Sequence, residues 1–354
     1  MTLKLAINGF GRIGRGALRA LIESGRQDVE IVAINDLSKP EMNAHLFEFD
    51  SVHGRYPSPV TLKDSVLDVG SGPIRLTSER DPEALDWSDV DVVLECTGVF
   101  RTREAASRHF ENGSKKVLIS APARGDAAVK TVVFGVNEHE LTAEDTVVSN
   151  ASCTTNCLSP VAAALDAGLG ILHGNMTTVH AYTASQPVHD TAGKDPYLSR
   201  AAALSMIPTT TGAATAVGLV LPQLQGKLTG QAIRVPTPNV SVVDLVVEVS
   251  RPTTEQEVNA LFTEAAAKIP GVLAAEKRPL ISVDFNHDSH SSTVSLAETK
   301  VTDGTLVRVL AWYDNEWGFS NRMLDTAAAM GALGQPVAQS GVDAGRDELG
   351  NVPA

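Results

Sequence analysis

The opening run Leu3-Lys4-Leu5-Ala6-Ile7, followed at once by Asn8-Gly9-Phe10-Gly11-Arg12-Ile13-Gly14, leaves this chain few choices of fold. A short apolar run reads as a buried strand, and glycines at this spacing read as a tight turn. Ala17, Leu18, Leu21 and Ile22 then recur at helical spacing, Gly25 stops the helix, and Glu30–Ile34 is the next apolar run. Continuous apolar strands joined by helices belong to a parallel sheet covered on both faces. A glycine triplet alone is a weak signal. Between a strand and a helix it becomes a dinucleotide-binding turn, in which Gly9, Gly11, Arg12, Ile13 and Gly14 meet a pyrophosphate at the helix N-terminus. Asp36, ending the second strand, suits the adenosine ribose 2′-OH. Its charge repels a 2′-phosphate and Leu37 supplies no compensating cation, so the expected cofactor is NAD rather than NADP.

Apolar runs continue at Val90–Leu94, Lys116–Ile119, Thr131–Gly135 and Thr146–Ser149, with a helical segment at Glu104–Phe110. Residues 1–149 therefore read as a Rossmann-type, doubly wound α/β NAD-binding domain. At 354 residues a second domain is expected. Beyond 150 the runs lengthen and become β-branched: Met176–Tyr182, Ala232–Val235, Ser241–Val249, Thr293–Leu296 and Leu306–Trp312, with an amphipathic helix at Glu255–Lys268. Residues 150–318 thus read as an α+β catalytic domain with a mostly antiparallel sheet. A last helix, about 319–333, is expected to pack back on the first domain, and 335–354 to form a flexible tail.

Between the two halves lies Asn150-Ala151-Ser152-Cys153-Thr154-Thr155-Asn156-Cys157. It sets a cysteine between the strand Thr146–Val148 and a helix running through Pro160–Leu165. Unpaired N–H groups and the helix dipole favour thiolate there, so the thiol pKa is expected to fall. A cysteine filling a core gap is the competing reading, and it suits Cys157 and Cys96. His180, in a β-rich run, offers a base.

Ile7–Arg15, Ala151–Leu158, His180-Ala181-Tyr182-Thr183, Thr209–Ala214, Arg234–Val242 and Trp312–Glu316 occur in one order. In these motifs the chain resembles the phosphorylating glyceraldehyde-3-phosphate dehydrogenases from about residue 3 to 333. The resemblance implies that Cys153 adds to the aldehyde carbon of glyceraldehyde 3-phosphate and that His180 removes the proton. Oxidation by NAD then leaves a thioester, which inorganic phosphate cleaves to 1,3-bisphosphoglycerate, a step of glycolysis and gluconeogenesis. It implies Thr183, Arg200 and Arg234 for the substrate phosphate, and Ser152, Thr211, Gly212 and Arg234 for the attacking one, with Thr154 beside them. Arg80, Thr97, Ser120 and Asn315 match cofactor contacts, Asn315 at the nicotinamide carboxamide. A homotetramer is likewise implied.

The match loosens over Pro187–Ser199, where Lys194-Asp195-Pro196-Tyr197-Leu198-Ser199 replaces a more basic stretch and Ala192 stands where NAD-selective relatives carry proline. Erythrose-4-phosphate dehydrogenase, which uses water as acyl acceptor, is the nearest alternative. Tyr182-Thr183 and Thr211-Gly212 favour the phosphorylating enzyme. A non-catalytic NAD-binding protein is a further alternative, against which Cys153 and His180 both speak. His287 and His290 read as a polar turn rather than a metal site, and no metal is expected.

A net charge of -13 argues against nucleic acid and anionic membranes as partners. No apolar run reaches the roughly 18 residues of a membrane span. The strand-like start leaves no room for a signal peptide, and three cysteines form no disulfide framework, so a cytoplasmic location is expected.

Overall fold

The computed structural model describes residues 2–125 and 128–334; the expected tail, 335–354, lies outside the described residues. The first half runs β1 (Leu3–Asn8), α1 (Arg12–Ser24), β2 (Val29–Asn35), α2 (Pro40–Glu48), β3 (Phe49–Asp50), β4 (Gly54–Arg55), β5 (Thr61–Lys63), β6 (Val66–Asp68) and β7 (Pro73–Thr77). It continues with β8 (Val92–Glu95), α3 (Arg103–Ser107), β9 (Lys116–Ile119), β10 (Lys130–Thr131) and β11 (Val147–Ser149). Nine of these strands form one sheet in the order β10-β11-β9-β8-β1-β2-β7-β6-β5, and β3 pairs with β4 apart from it. All neighbours are parallel as far as β7, and only the β7-β6-β5 edge is antiparallel. That edge was not anticipated, because strands of three residues give too few alternations to register as a period.

Two sequence expectations are trimmed. The run Thr131–Gly135 yields only the short β10, because Asn137 takes over the backbone there. Its Oδ1 accepts from Val133 N at 2.9 Å and its Nδ2 donates to Thr131 O at 3.1 Å. The helix expected over Glu104–Phe110 is α3 followed by a single 3₁₀ turn through Phe110.

The second half holds α4 (Cys153–Leu169), β12 (Ile171–Ala181), β13 (Ile207–Thr210), α5 (Ala213–Val220), β14 (Leu228–Val235), β15 (Ser241–Val249) and α6 (Glu255–Lys268). It ends with β16 (Leu273–Glu276), β17 (Ser292–Ser295), β18 (Lys300–Thr302), β19 (Leu306–Tyr313) and α7 (Trp317–Ala332). The sheet order is β13-β14-β12-β15-β19-β17-β16, with β18 on β19. Most pairings are antiparallel; β12/β14 and β16/β17 are parallel.

One apolar core joins α1, the first sheet and α7, through Leu18, Leu94, Met323 and Ala327. A second joins α4, α5 and α6 to the other sheet, through Leu158, Val161, Phe262 and Val309. Helix α7 lies on α1, and the buried Lys116 holds its C-terminal end by donating to Met330 O at 2.6 Å and Leu333 O at 2.8 Å. Cys153 packs against both cores, which puts it at the seam between the domains.

Candidate active site

The cofactor side is built from strand ends. A cleft at the C-terminal edge of the parallel sheet is lined by Asn8, Gly9, Gly11, Asn35, Asp36 and Thr97, with Glu79, Arg80 and Cys96 beside them. Ligands of open α/β sheets bind at such an edge. The three glycines are needed for different reasons. Gly9 has φ +96°, and a Cβ there would lie 2.7 Å from Thr97 N. A Cβ on Gly14 would sit 2.3 Å from Gly9 O, so its absence lets α1 close on the turn. Gly11 would meet nothing within 4 Å; it keeps the mouth of the cleft open. It also begins α1 with no side-chain cap, so the first N–H groups of the helix face the cleft without a protein partner. These features fit a dinucleotide pyrophosphate. Asp36 is half-buried and fixed by Phe10 N and Ser38 N, each at 2.8 Å.

Other expected cofactor residues are placed differently. Arg12 turns its guanidinium away to Glu316 and Asp50, so only its backbone serves the turn. These carboxylates raise its pKa despite burial, and Asp50 is held down at about 2, chiefly against burial by the Arg12 hydrogen bond. Ser120 follows β9, with its N–H on Glu95 O at 3.0 Å. Cys96, expected in the core, is only half-buried and edges the cleft; burial pushes its thiol up to about 12.

The catalytic side begins at Ala151, whose φ of 59° turns the chain from β11 into α4. A non-glycine residue in that region is strained, and such strain gathers at functional sites. Ser152 caps α4, its Oγ accepting from Thr155 N at 3.1 Å, and Cys153 is the first helical residue. The helix thus starts well before Pro160, which lies inside it. Cys153 Sγ is 3.5 Å from His180 Nε2. The imidazole Nδ1 contacts Ala181 O at 2.7 Å, and Arg234 Nη1 reaches that same carbonyl at 2.8 Å and Nδ1 at 2.7 Å. Nδ1 cannot both donate to Ala181 O and accept from Arg234. With Nδ1–H on the carbonyl, Arg234 donates to that carbonyl instead of the ring and the Nε2 lone pair faces the thiol, the tautomer a base needs. The parallel pairing of β12 with β14 sets His180 directly opposite Arg234, which no local pattern in the sequence reveals.

The expected fall of the thiol pKa is overturned for Cys153 alone. Burial pushes the thiol up and outweighs the Arg234 charge and the hydrogen bonds from Thr154. Burial, helped by Arg234, likewise drives His180 down to about 3. Burial thus favours the neutral form of each group, and a proton passing from Sγ to Nε2 would leave two opposite charges that stabilise each other at short range. Cys157, one turn on, is fully buried against Ser292 Oγ at 3.3 Å with its thiol pushed up to about 12.

Of the expected phosphate residues, Arg234 contacts His180 and Thr154 hydrogen-bonds the Cys153 thiol. Thr154 is buried, its hydroxyl on Tyr313 at 2.9 Å, so it packs beneath Cys153 rather than lining an open site. Thr183 meets Ser185 Oγ at 3.1 Å, and Thr211 and Gly212 stand at the start of α5. Arg200 departs most: it is 64% exposed and paired with Asp190 at 2.8 Å on the divergent loop. Asn315 is buried with Oδ1 accepting from Ser241 Oγ at 2.8 Å, which leaves its NH₂ to donate. Sequence reasoning missed Ser241 and Tyr313 as parts of the site. Tyr313 sets its ring edge-on to His180, 5.9 Å between centroids. His287 is not a simple polar turn: it stacks on Trp317 and meets His53 Nδ1 at 3.1 Å and Glu23 at 2.6 Å, bridging the domains.

A dinucleotide cleft beside a cysteine–histidine pair at a domain seam defines a nicotinamide-dependent oxidoreductase. Residues 3–103 match the family "Glyceraldehyde 3-phosphate dehydrogenase, NAD binding domain" and residues 152–315 match "Glyceraldehyde 3-phosphate dehydrogenase, C-terminal domain". The chain is 61% identical to the glyceraldehyde-3-phosphate dehydrogenase of Cereibacter sphaeroides over 334 residues, covering 94% of this chain and 100% of that one. It is 60% identical to that of Xanthobacter flavus, with the same shares, and 55% identical to that of Pseudomonas aeruginosa, covering 94% and 99%. The chain belongs to the glyceraldehyde-3-phosphate dehydrogenase family, and its cofactor is NAD.

Proposed function

We propose that this protein oxidises glyceraldehyde 3-phosphate with NAD and passes the acyl group to inorganic phosphate, with Cys153 as nucleophile and His180 as base. The observation that carries the reading is the 3.5 Å contact of Cys153 Sγ with His180 Nε2, with Arg234 on the same imidazole. Cys153 adds to the aldehyde carbon as its proton passes to Nε2, and the imidazolium returns that proton to the carbonyl oxygen, giving a thiohemiacetal and a neutral His180. His180 then takes the hemiacetal hydroxyl proton during oxidation. Bound NAD supplies the acceptor for the two electrons and the hydrogen on that carbon. Gly9, Gly11 and the N-terminal N–H groups of α1 would hold the pyrophosphate, Asp36 the ribose hydroxyls, and the Asn315 NH₂ the carboxamide. Ser120 and Thr97 border the cofactor, and Arg80 its adenosine end.

The thioester on Cys153 keeps the oxidised carbon reactive until phosphate attacks it and the thiol leaves. Arg234 is placed for an anion beside the reacting carbon, with Thr183, Ser152, Thr211 and Gly212 as further donors. Arg200 serves only after leaving Asp190. Water as the acyl acceptor, the erythrose-4-phosphate alternative, is not favoured by the relatives' names. A cytoplasmic homotetramer completes the reading. Exposed Val188, Tyr197, Leu204 and Met206 on the divergent loop and its continuation support a subunit contact there. No helix of the described residues is long and apolar enough to cross a membrane.

The test is NADH formation from glyceraldehyde 3-phosphate and from erythrose 4-phosphate, each with and without inorganic phosphate. Turnover of the triose should depend on phosphate; equal rates without it would remove phosphorolysis from the reaction. Light scattering checks the tetramer.

A further inference from the structure

Beneath the cofactor cleft lies a buried ionisable pair that the proposed chemistry does not use. Glu95, at the end of β8, is 1% exposed, and His109, in the 3₁₀ turn after α3, is fully buried. Trp87 Nε1 donates to His109 Nδ1 at 3.0 Å. An indole N–H only donates, so Nδ1 carries a lone pair and the imidazole is neutral with its hydrogen on Nε2. Nε2–H then donates to Glu95 Oε2 at 3.0 Å, which also accepts from Asn8 Nδ2 at 2.6 Å. The other oxygen, Oε1, accepts from Thr97 N at 2.9 Å and from the Thr97 hydroxyl. All four partners of this carboxyl group are placed to donate, as a buried carboxylate requires.

The chain of hydrogen bonds does not stop there. Asn8 Oδ1 accepts from Asn35 Nδ2 at 2.8 Å, and Asn35 Nδ2 also reaches Glu79 O at 2.8 Å. Asn35 Oδ1 accepts from Glu79 N at 2.8 Å and Thr77 Oγ1 at 3.0 Å. Asn8, Asn35, Thr77 and Glu95 end four adjacent strands, β1, β2, β7 and β8. Asn8, Asn35, Glu79 and Thr97 are themselves walls of the cleft. Trp87, His109 and Glu95 are not.

We infer that Glu95, locked by His109 and Trp87, is a positioning residue for NAD: it ties the strand ends together so that the cleft is formed before the cofactor arrives. Pre-formed sites bind more tightly because the ordering has already been done in folding. The inference rests on the cleft being the NAD site, and its test separates the two.

Isothermal titration of NAD and of ADP-ribose into the full-length protein is compared for wild type, Glu95→Gln and Trp87→Phe. The glutamine amide sets an NH₂ against groups that themselves donate, so E95Q should weaken both ligands by about tenfold, the scale of one hydrogen bond to a charge. W87F frees His109 Nδ1 without touching the cleft and should weaken both by about threefold. The double variant should fall short of the product of the two factors, as expected of groups acting through one chain. The alkylation rate of Cys153 by iodoacetamide and kcat at saturating NAD should stay within about twofold in both. Wild type that fails to bind ADP-ribose would sink the cleft assignment. Wild-type binding with unchanged affinity in the variants, whatever their melting temperatures, would overturn the positioning role. Should E95Q not fold, W87F decides by itself: unchanged affinity overturns the inference.

Discussion

The two sides of the domain seam are built by opposite means. On the cofactor side the ligand-facing groups are largely backbone: uncapped N–H groups at α1 and glycines whose missing Cβ atoms make the space. On the catalytic side they are side chains, drawn from α4, β12 and β14 and buried until His180 is only 4% exposed. A backbone site tolerates water and binds by shape. A side-chain site shifts the protonation of its own groups. That contrast suits one side to recognising a cofactor and the other to the proton transfers proposed for it.

Removing the nucleophile should test it hardest. Cys153→Ser is expected to lower kcat by at least about 10³-fold, since a hydroxyl cannot supply the leaving group for phosphorolysis, while NAD affinity measured by titration stays unchanged. A matching loss of NAD affinity would mean the two sides are not separable. His180→Asn should lower kcat by about 10²–10⁴-fold. It should also slow iodoacetamide alkylation of Cys153 at neutral pH by more than about tenfold, because burial then acts on the thiol with no proton acceptor. Alkylation as fast as wild type would show that the helix terminus alone makes the thiolate.

On the cofactor side, Gly9→Ala combines a left-handed φ with a backbone clash. Roughly 1–3 kcal/mol of strain is expected, with NAD binding weakened by about tenfold or more and a lowered melting temperature. Asp36→Asn should mainly change preference: weaker NAD binding and a gain for NADP, read as a ratio of dissociation constants. An unchanged ratio would take the discrimination away from Asp36.

The smallest effect belongs to the ion cluster joining the sides, Arg12 with Asp50 and Glu316. Asp50 titrates at about 2 when folded, against an ordinary value of 3.8, so the unfolded chain binds more protons between them. Stability from this group is therefore complete above about pH 4 and lost as pH falls toward 2, by about 2 kcal/mol. Asp50→Asn should flatten that part of the acid-unfolding curve; an unchanged slope would place the acid sensitivity elsewhere.

Much of the first domain was legible because its signals are local. Strand, glycine turn, helix and Asp36 lie within one stretch, and their roles follow from turn chemistry. Cys153 was legible for the same reason, standing where a strand gives way to a helix. His180 was visible as a residue type in a β-rich run and, with Arg234, became a candidate through resemblance. Arg200 shows the limit: matched by resemblance, it lies paired with Asp190 in the loop between β12 and β13. His287 shows another, since its partners His53 and Glu23 are far away in the chain.

The sequence by itself thus determined the parallel NAD-binding sheet, the β-rich second domain and the place of Cys153 between them, because periodicity and turn residues act over a few neighbours. Tertiary structure decided which groups meet. The β12/β14 register set Arg234 on His180, burial reversed the expected drift of the Cys153 thiol, and the ends of four strands joined Glu95 to Asn8, Asn35 and Glu79. Pairing and desolvation depend on what packs across the molecule, and no short window of sequence contains that.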